Sequence, residues 1–286
     1  MRPYVITTDS SADLEENFLK EHEIGMVSLN CLLDGETYNS ENPLPVKEFY
    51  AKVRGGAMPT TSQVNPEQAK ALFEPYAKAG TDVLHLAFSS GLSGSCQSAM
   101  IAAQEVMEEY PDCRIVVVDT LLAAMGQGLL VYKAVQKKEA GASMDEVARW
   151  CEDNKMMIAS YVTVDDLNHL YRGGRISRSS AVLGSMVGIK PVIRIDDEGK
   201  LEVIGKARGR KKAVQTIIDK LMALIQDGEK TVFISHGDCL EEAEAIRDTL
   251  VEKYGIEETM INFVGPVVGA HTGAGVLAVF AMAKSR

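Results

Sequence analysis

Asp82-Val83-Leu84-His85-Leu86-Ala87-Phe88, then Ser89-Ser90-Gly91-Leu92-Ser93-Gly94-Ser95, then the alanine-rich run 98–106: these consecutive pieces read as strand, loop and helix. The first piece is a nearly continuous apolar run, as a strand covered on both faces of a parallel sheet requires. The loop places glycines and hydroxyls where a helix opens, beside unpaired backbone N–H groups and the positive end of the helix dipole. A carboxylate or phosphate is stabilised at such a place. A second glycine-rich stretch, Gly269-Ala270-His271-Thr272-Gly273-Ala274-Gly275, follows Ile261-Asn262-Phe263-Val264 and precedes the apolar run 276–283, which reads as a helix. Two such loops near opposite ends of the chain predict one anionic ligand clasped from both sides.

Outward from this core, strand-like runs at 4–9, 26–33, 82–88 and 114–119 alternate with helical patterns at 13–20, 46–53, 66–77, 98–107 and 121–139. That rhythm is βαβ, and it predicts a doubly wound parallel sheet. Ligands of such sheets bind outside the carboxyl ends of the strands, so Asp9-Ser10-Ser11, Ser89-Ser90 and Asp119-Thr120 are expected to crowd one rim. After a helix at 143–153 the pattern changes. Strands at 156–164, 190–195, 201–204 and 231–236 follow, with Asp197-Glu198-Gly199 as a hairpin turn and helices at 210–225 and 241–254 as cover. The expected fold class is α/β with two α/β domains. Residues 1–160 form a mostly parallel doubly wound sheet, residues 161–286 a mixed sheet with covering helices, and the ligand lies between them.

The bulk properties narrow the function. At 286 residues, 46% hydrophobic and 6% aromatic, the chain has the composition of an ordinary globular protein, and no apolar run approaches the roughly 18 residues of a membrane span. A cytoplasmic location is expected. Cys31, Cys96, Cys113, Cys151 and Cys239 show no paired spacing, which predicts reduced thiols and no zinc site. A net charge of -10 excludes a general nucleic-acid binder. Two basic clusters stand against that background: Arg172, Arg175 and Arg178, and Lys206, Arg208, Arg210, Lys211 and Lys212. Each is either a solvated face or a docking place for an anionic partner.

Pro59-Thr60-Thr61-Ser62-Gln63 precedes Asn65-Pro66, a helix N-cap followed by proline at the first helical position. Its hydroxyls either cap a local turn or face the ligand from the same rim as Ser93. Gly91-Leu92-Ser93-Gly94-Ser95 fails the Gly-x-Ser-x-Gly pattern at its last position. A serine acyl-ester hydrolase with Ser93 as nucleophile and His271 as base stays open as an alternative. No phosphate-cradle motif and no metal-ligand spacing is present. Among the histidines, His85 reads as core, His22 and His169 as surface, and His236 as a cleft or turn residue. His271, in a glycine-rich loop, reads as a hydrogen-bonding partner for an anion.

Thr8-Asp9-Ser10-Ser11-Ala12-Asp13-Leu14, Pro59-Thr60-Thr61-Ser62-Gln63, Ser89 to Ser95, Val118-Asp119-Thr120, Leu170-Tyr171-Arg172-Gly173-Gly174-Arg175-Ile176-Ser177, Lys190-Pro191 and Gly269-Ala270-His271-Thr272-Gly273 together resemble, in order and over the whole chain, the DegV family of bacterial fatty-acid-binding proteins. The resemblance implies a non-enzymatic two-domain protein that buries a long-chain fatty acid between its domains. It also implies a partner, a fatty-acid kinase protein that phosphorylates the presented carboxylate for phospholipid synthesis. Transient membrane contact fits this role, with no cofactor beyond the bound acid, no metal and no nucleic acid. The ligand-binding set it implies is Thr61, Ser62, Ser93, Gly94, His271 and Thr272, with Thr61 and Ser93 on the carboxylate and His271 nearby. Arg172 and Arg175 are assigned to the kinase-facing surface. A lipid carrier without a kinase partner is the competing reading. Where the family commonly has Gly-Pro-Gly this chain has Gly273-Ala274-Gly275, which restores an N–H and frees φ. Met186, Ile189 and Phe280 are candidate tail contacts that sequence alone does not separate from core.

Overall fold

The structure, a computed structural model, describes residues 2–165, 167–177 and 188–286; Arg178 and Met186 lie outside the described residues. Strands β1 (Tyr4–Asp9), β2 (Gly25–Val27), β6 (Asp82–Ala87) and β7 (Ile115–Asp119) form a parallel sheet in the order β2-β1-β6-β7. Every residue of β6 is buried, as its nearly continuous apolar sequence demands. Helices α1 (Glu16–Glu21), α5 (Ala124–Glu139) and α6 (Met144–Asn154) pack on one face, and α3 (Pro66–Lys78) and α4 (Ser95–Glu109) on the other. The expected rim forms at the strand ends. Phe88 N–H donates to Asp9 Oδ2 (2.7 Å) and Ser90 N–H to Asp119 Oδ1 (3.1 Å). His85 is a core residue bonded to Thr7 Oγ1 at 3.0 Å, and burial pushes its pKa down to about 3.

The run 26–33 is not one strand. β2 ends at Val27, and β3 (Asn30–Leu33) leaves to form a three-stranded antiparallel sheet with β4 (Glu36–Tyr38) and β5 (Thr60–Ser62), covered by α2 (Val46–Arg54). The break is held by Leu29 N–H on Ser10 Oγ (3.1 Å).

The second sheet has the order β10-β9-β8-β13-β11-β12, from β8 (Ile158–Thr163), β9 (Ile189–Ile195), β10 (Leu201–Arg208), β11 (Thr231–His236), β12 (Glu258–Phe263) and β13 (Leu277–Met282). Only β11 and β12 pair in parallel, so the sheet is mixed. α7 (Asn168–Arg172) follows β8; α8 (Arg210–Leu224) and α9 (Leu240–Tyr254) cover the outer face, and the inner face meets α5. β8 starts at Ile158, so a division of the chain at 160 would cut a strand that belongs whole to this sheet. The hairpin turn is where the sequence put it, with Gly199 at φ +73°.

A second expectation is overturned. The run 276–283 is not a helix but contains β13, the buried strand between β8 and β11. An eight-residue apolar run carries no period that separates a buried strand from a buried helix. The helix lies earlier, at α10 (Pro266–Thr272), opened by proline at its first turn. The second glycine stretch therefore ends a helix. His271 sits in the last turn, at the negative end of the dipole, and any help to an anion there comes from its side chain.

Candidate ligand-binding site

A cavity of ≈ 620 Å³ lies between the two sheets. Its walls are mainly aliphatic, among them Ala123 and Ala124 at the start of α5, Val162 and Val164 around β8, and Ala278 and Phe280 on β13. Phe280 thus faces the cavity and Ile189 does not, among the described residues. All six residues of the expected ligand set, Thr61, Ser62, Ser93, Gly94, His271 and Thr272, lie in its wall.

Polar groups gather at one end. The register of β5 on β3, Cys31 opposite Thr61, holds Thr61 between the exposed Thr60 and Ser62. Its Oγ1 lies 2.8 Å from His271 Nε2. Burial, with Arg175 adding to it, lowers the His271 pKa to about 4, so the ring is neutral at pH 7. Its Nδ1 is buried without a partner among the described residues. A buried bare lone pair is better tolerated than a buried unpaired N–H, so we assign the proton to Nε2, where it donates to Thr61 Oγ1. The Thr61 hydroxyl is then left to donate to a ligand.

Ser93 stands just ahead of α4. Its Oγ accepts from Ser95 N–H (3.2 Å) and lies 2.9 Å from Ser95 Oγ, which itself accepts from Val64 N–H (3.1 Å). With the Ser95 hydroxyl donating to Ser93, the Ser93 hydroxyl also points its proton onward. Gly94, the N-cap of the fifteen-residue α4, has the Gln63 side chain where a Cβ would stand. Ser62 Oγ accepts from Asn30, and the Thr272 hydroxyl donates to Val268 O within its own helix. The Thr272 proton is thus committed within its helix, whereas Ser62, on the exposed side of the strand, keeps its own.

The two arginines part company. Arg172 is exposed, with Nη2 3.3 Å from His169 Nδ1. Arg175 is half-buried, donates from Nε to Leu92 O across the cleft (3.1 Å) and also to Gly173 O, and lines the cavity. Among the described residues it is the one charged side chain in that wall. Its placement corrects a purely surface role. A second basin of ≈ 440 Å³, lined by Met58, His169 and Arg172, shares Thr61, Arg175 and His271 with the cavity. Those three residues therefore stand between the two spaces.

The hydrolase constellation is not assembled. His271 Nε2 is on Thr61, Ser93 is on Ser95, and no carboxylate among the described residues holds His271 Nδ1. His236 has a turn role, with Nδ1 accepting from Cys239 N–H at 3.2 Å. In the second basic cluster Arg210 pairs with Glu242 and Asp165, while Lys206, Arg208, Lys211 and Lys212 are exposed. No group of side chains suited to a metal ion, and no helix long and apolar enough to cross a membrane, occurs among the described residues.

Two sheets closing on an apolar cavity with hydroxyl, imidazole and guanidinium groups in its wall define an α/β protein with an interior cavity of amphiphilic lining. The comparisons agree on its lineage. A family model described as an uncharacterised protein, DegV family, matches residues 3–284. A DegV domain-containing protein of Clostridium perfringens is 45% identical, covering 100% of this chain and 99% of the relative. A DegV family protein from Thermus thermophilus, described by its fatty acid binding, superposes with TM-score 0.87 at 34% identity over 99% of this chain and 100% of its own. A stearic acid-binding protein from Eubacterium ventriosum gives TM-score 0.88 at 26% identity over 98% of both chains. This chain belongs to the DegV family.

Proposed function

We propose that this chain binds one long-chain fatty acid with its tail in the cavity and its carboxylate at Thr61 and Ser93, and presents that carboxylate to a separate fatty-acid kinase. The supporting observation is the polarity of the cavity: mainly aliphatic walls, with Thr61, Arg175 and His271 shared with the outer basin. Fatty acid binding by the Thermus and Eubacterium proteins favours the same ligand class. At about 0.8 kcal/mol per buried CH₂, a tail with some fourteen methylenes gains on the order of 11 kcal/mol before ordering costs. Hydrogen bonds to a charged carboxylate add about 1.5–3 kcal/mol each. Affinity resides in the tail and orientation in the head. With His271 neutral, Arg175 supplies the counter-charge.

In this reading the chain has no catalytic residue of its own and consists of two domains, the second beginning with β8. Its product with the kinase is an acyl phosphate for phospholipid synthesis, made in the cytoplasm with transient membrane contact. Arg172, exposed on the basin, is the docking residue. Charge reversal by Arg172→Glu is expected to leave fatty acid affinity unchanged while acyl phosphate formation by a fatty-acid kinase and ATP falls. Equal loss of both would move Arg172 into the binding site, and unchanged turnover would remove it from docking.

A further inference from the structure

Along β13, Phe280 is the last residue on its face that lines the cavity. At about 3.3 Å per residue, Phe280 lies some 13 Å along the chain from Val276, which lines the same cavity next to the helix that carries His271 and Thr272. β8 runs antiparallel beside β13, with Val162 opposite Ala278, then Ser160 opposite Phe280, then Ile158 opposite Met282. Val276, Ala278 and Phe280 line the cavity; Met282 and Ile158 belong to the packed core. Ala278 leaves width, and Phe280 takes it away.

Behind the ring stands α5. A Cβ at Gly126 would lie 2.8 Å from Phe280 Cδ1 and 3.2 Å from Ser160 Oγ. Glycine is the poorest helix former after proline, so its presence in α5 calls for a spatial reason, and the seat of this ring is one. Phe280 is 1% exposed and packed in the core cluster that includes Met125, Leu129 and Phe233. A ring displaced by a group at 126 therefore has the cavity as its open side.

We propose that Phe280, seated against the Cβ-less face of Gly126, is the stop that sets the longest acyl chain this cavity accepts. The inference rests on the fatty acid reading of the cavity and makes the pair Phe280 and Gly126 its length selector. Gly126→Ala pushes the ring into the cavity and shortens the accepted chain. Phe280→Leu opens the floor and lengthens it.

The test loads delipidated parent, Gly126→Ala and Phe280→Leu with an equimolar mixture of even-numbered saturated acids from lauric to arachidic, then extracts and weighs the bound acids by mass spectrometry. The long-to-short ratio is expected to move in opposite directions in the two variants, by roughly tenfold for two methylenes gained or lost. Circular dichroism and thermal melting confirm folding, and Phe280→Met, unbranched and more adaptable in a core, takes the place of a Phe280→Leu protein that does not fold. Folded variants that keep the parent's length profile, or that shift it the same way, overturn the stop while leaving fatty acid binding intact. A parent that takes up no acid of any length overturns the fatty acid reading and the stop together.

Discussion

Thr61→Val probes the head of the site most cleanly, because it keeps the branched shape and removes one hydroxyl. In the parent that oxygen accepts from His271 Nε2–H at 2.8 Å and its proton is free for the ligand. Loss of a hydrogen bond to a charged carboxylate is about 1.5–3 kcal/mol, which is roughly 10- to 150-fold in Kd. The substitution also strands the Nε2–H of a half-buried imidazole, at a further cost of about 1 kcal/mol in stability. The two effects separate in the double variant Thr61→Val/His271→Phe. Stability is expected to return toward the parent value, because no polar group is left unpaired, whereas affinity stays low. Titration calorimetry on delipidated protein gives the affinity, and guanidinium unfolding gives the stability. A Thr61→Val protein that binds fatty acid within twofold of the parent would refute the assignment of Thr61 to the carboxylate.

Gly173→Ala carries no backbone strain, since its φ is -72°, but its Cβ would occupy the space of His271 Nδ1. It is expected to weaken fatty acid binding severalfold with little change in melting temperature, while Gly174→Ala, at φ +72° in open space, lowers stability by about 1 kcal/mol without touching affinity. The reverse pattern in a binding and melting comparison would detach Gly173 from the site. Asp13, whose Oδ1 accepts from Gly265 N–H at 3.0 Å, is buried, and burial raises its pKa well above the usual carboxyl value of 3.8. Ionisation therefore costs the native state more than the unfolded one, and the cost grows as pH rises from 3.8 through the folded pKa. Asp13→Asn, compatible with the local φ of 52°, is expected to match the parent near pH 4 and to exceed it near pH 8 in denaturant midpoint. A variant equally weakened at both pH values would sink this account.

The parallel half was legible because β1, β6 and β7 are apolar runs punctuated by polar loops, and the fold they build places Ser93 at a helix start without further information. The partner Thr61 was legible only as a hydroxyl in a motif. Its three-residue strand exists through pairing with Asn30–Leu33, a contact that local sequence does not encode. β13 was misread because its burial on both faces erases any periodicity. Arg175 is grouped with Arg172 by charge and by the motif both belong to. The turn after α7 sends the two guanidinium groups to different places, one to solvent and one across the cleft to Leu92 O. Phe280 was indistinguishable from core by sequence because it is core on one side and cavity wall on the other.

The most direct test is denaturing mass spectrometry of solvent extracts from the purified protein, beside a matched unrelated protein. Near-stoichiometric recovery of one or a few long-chain fatty acids is the expected result. A protein that yields none, and that also fails to take up added fatty acid, would contradict the central claim.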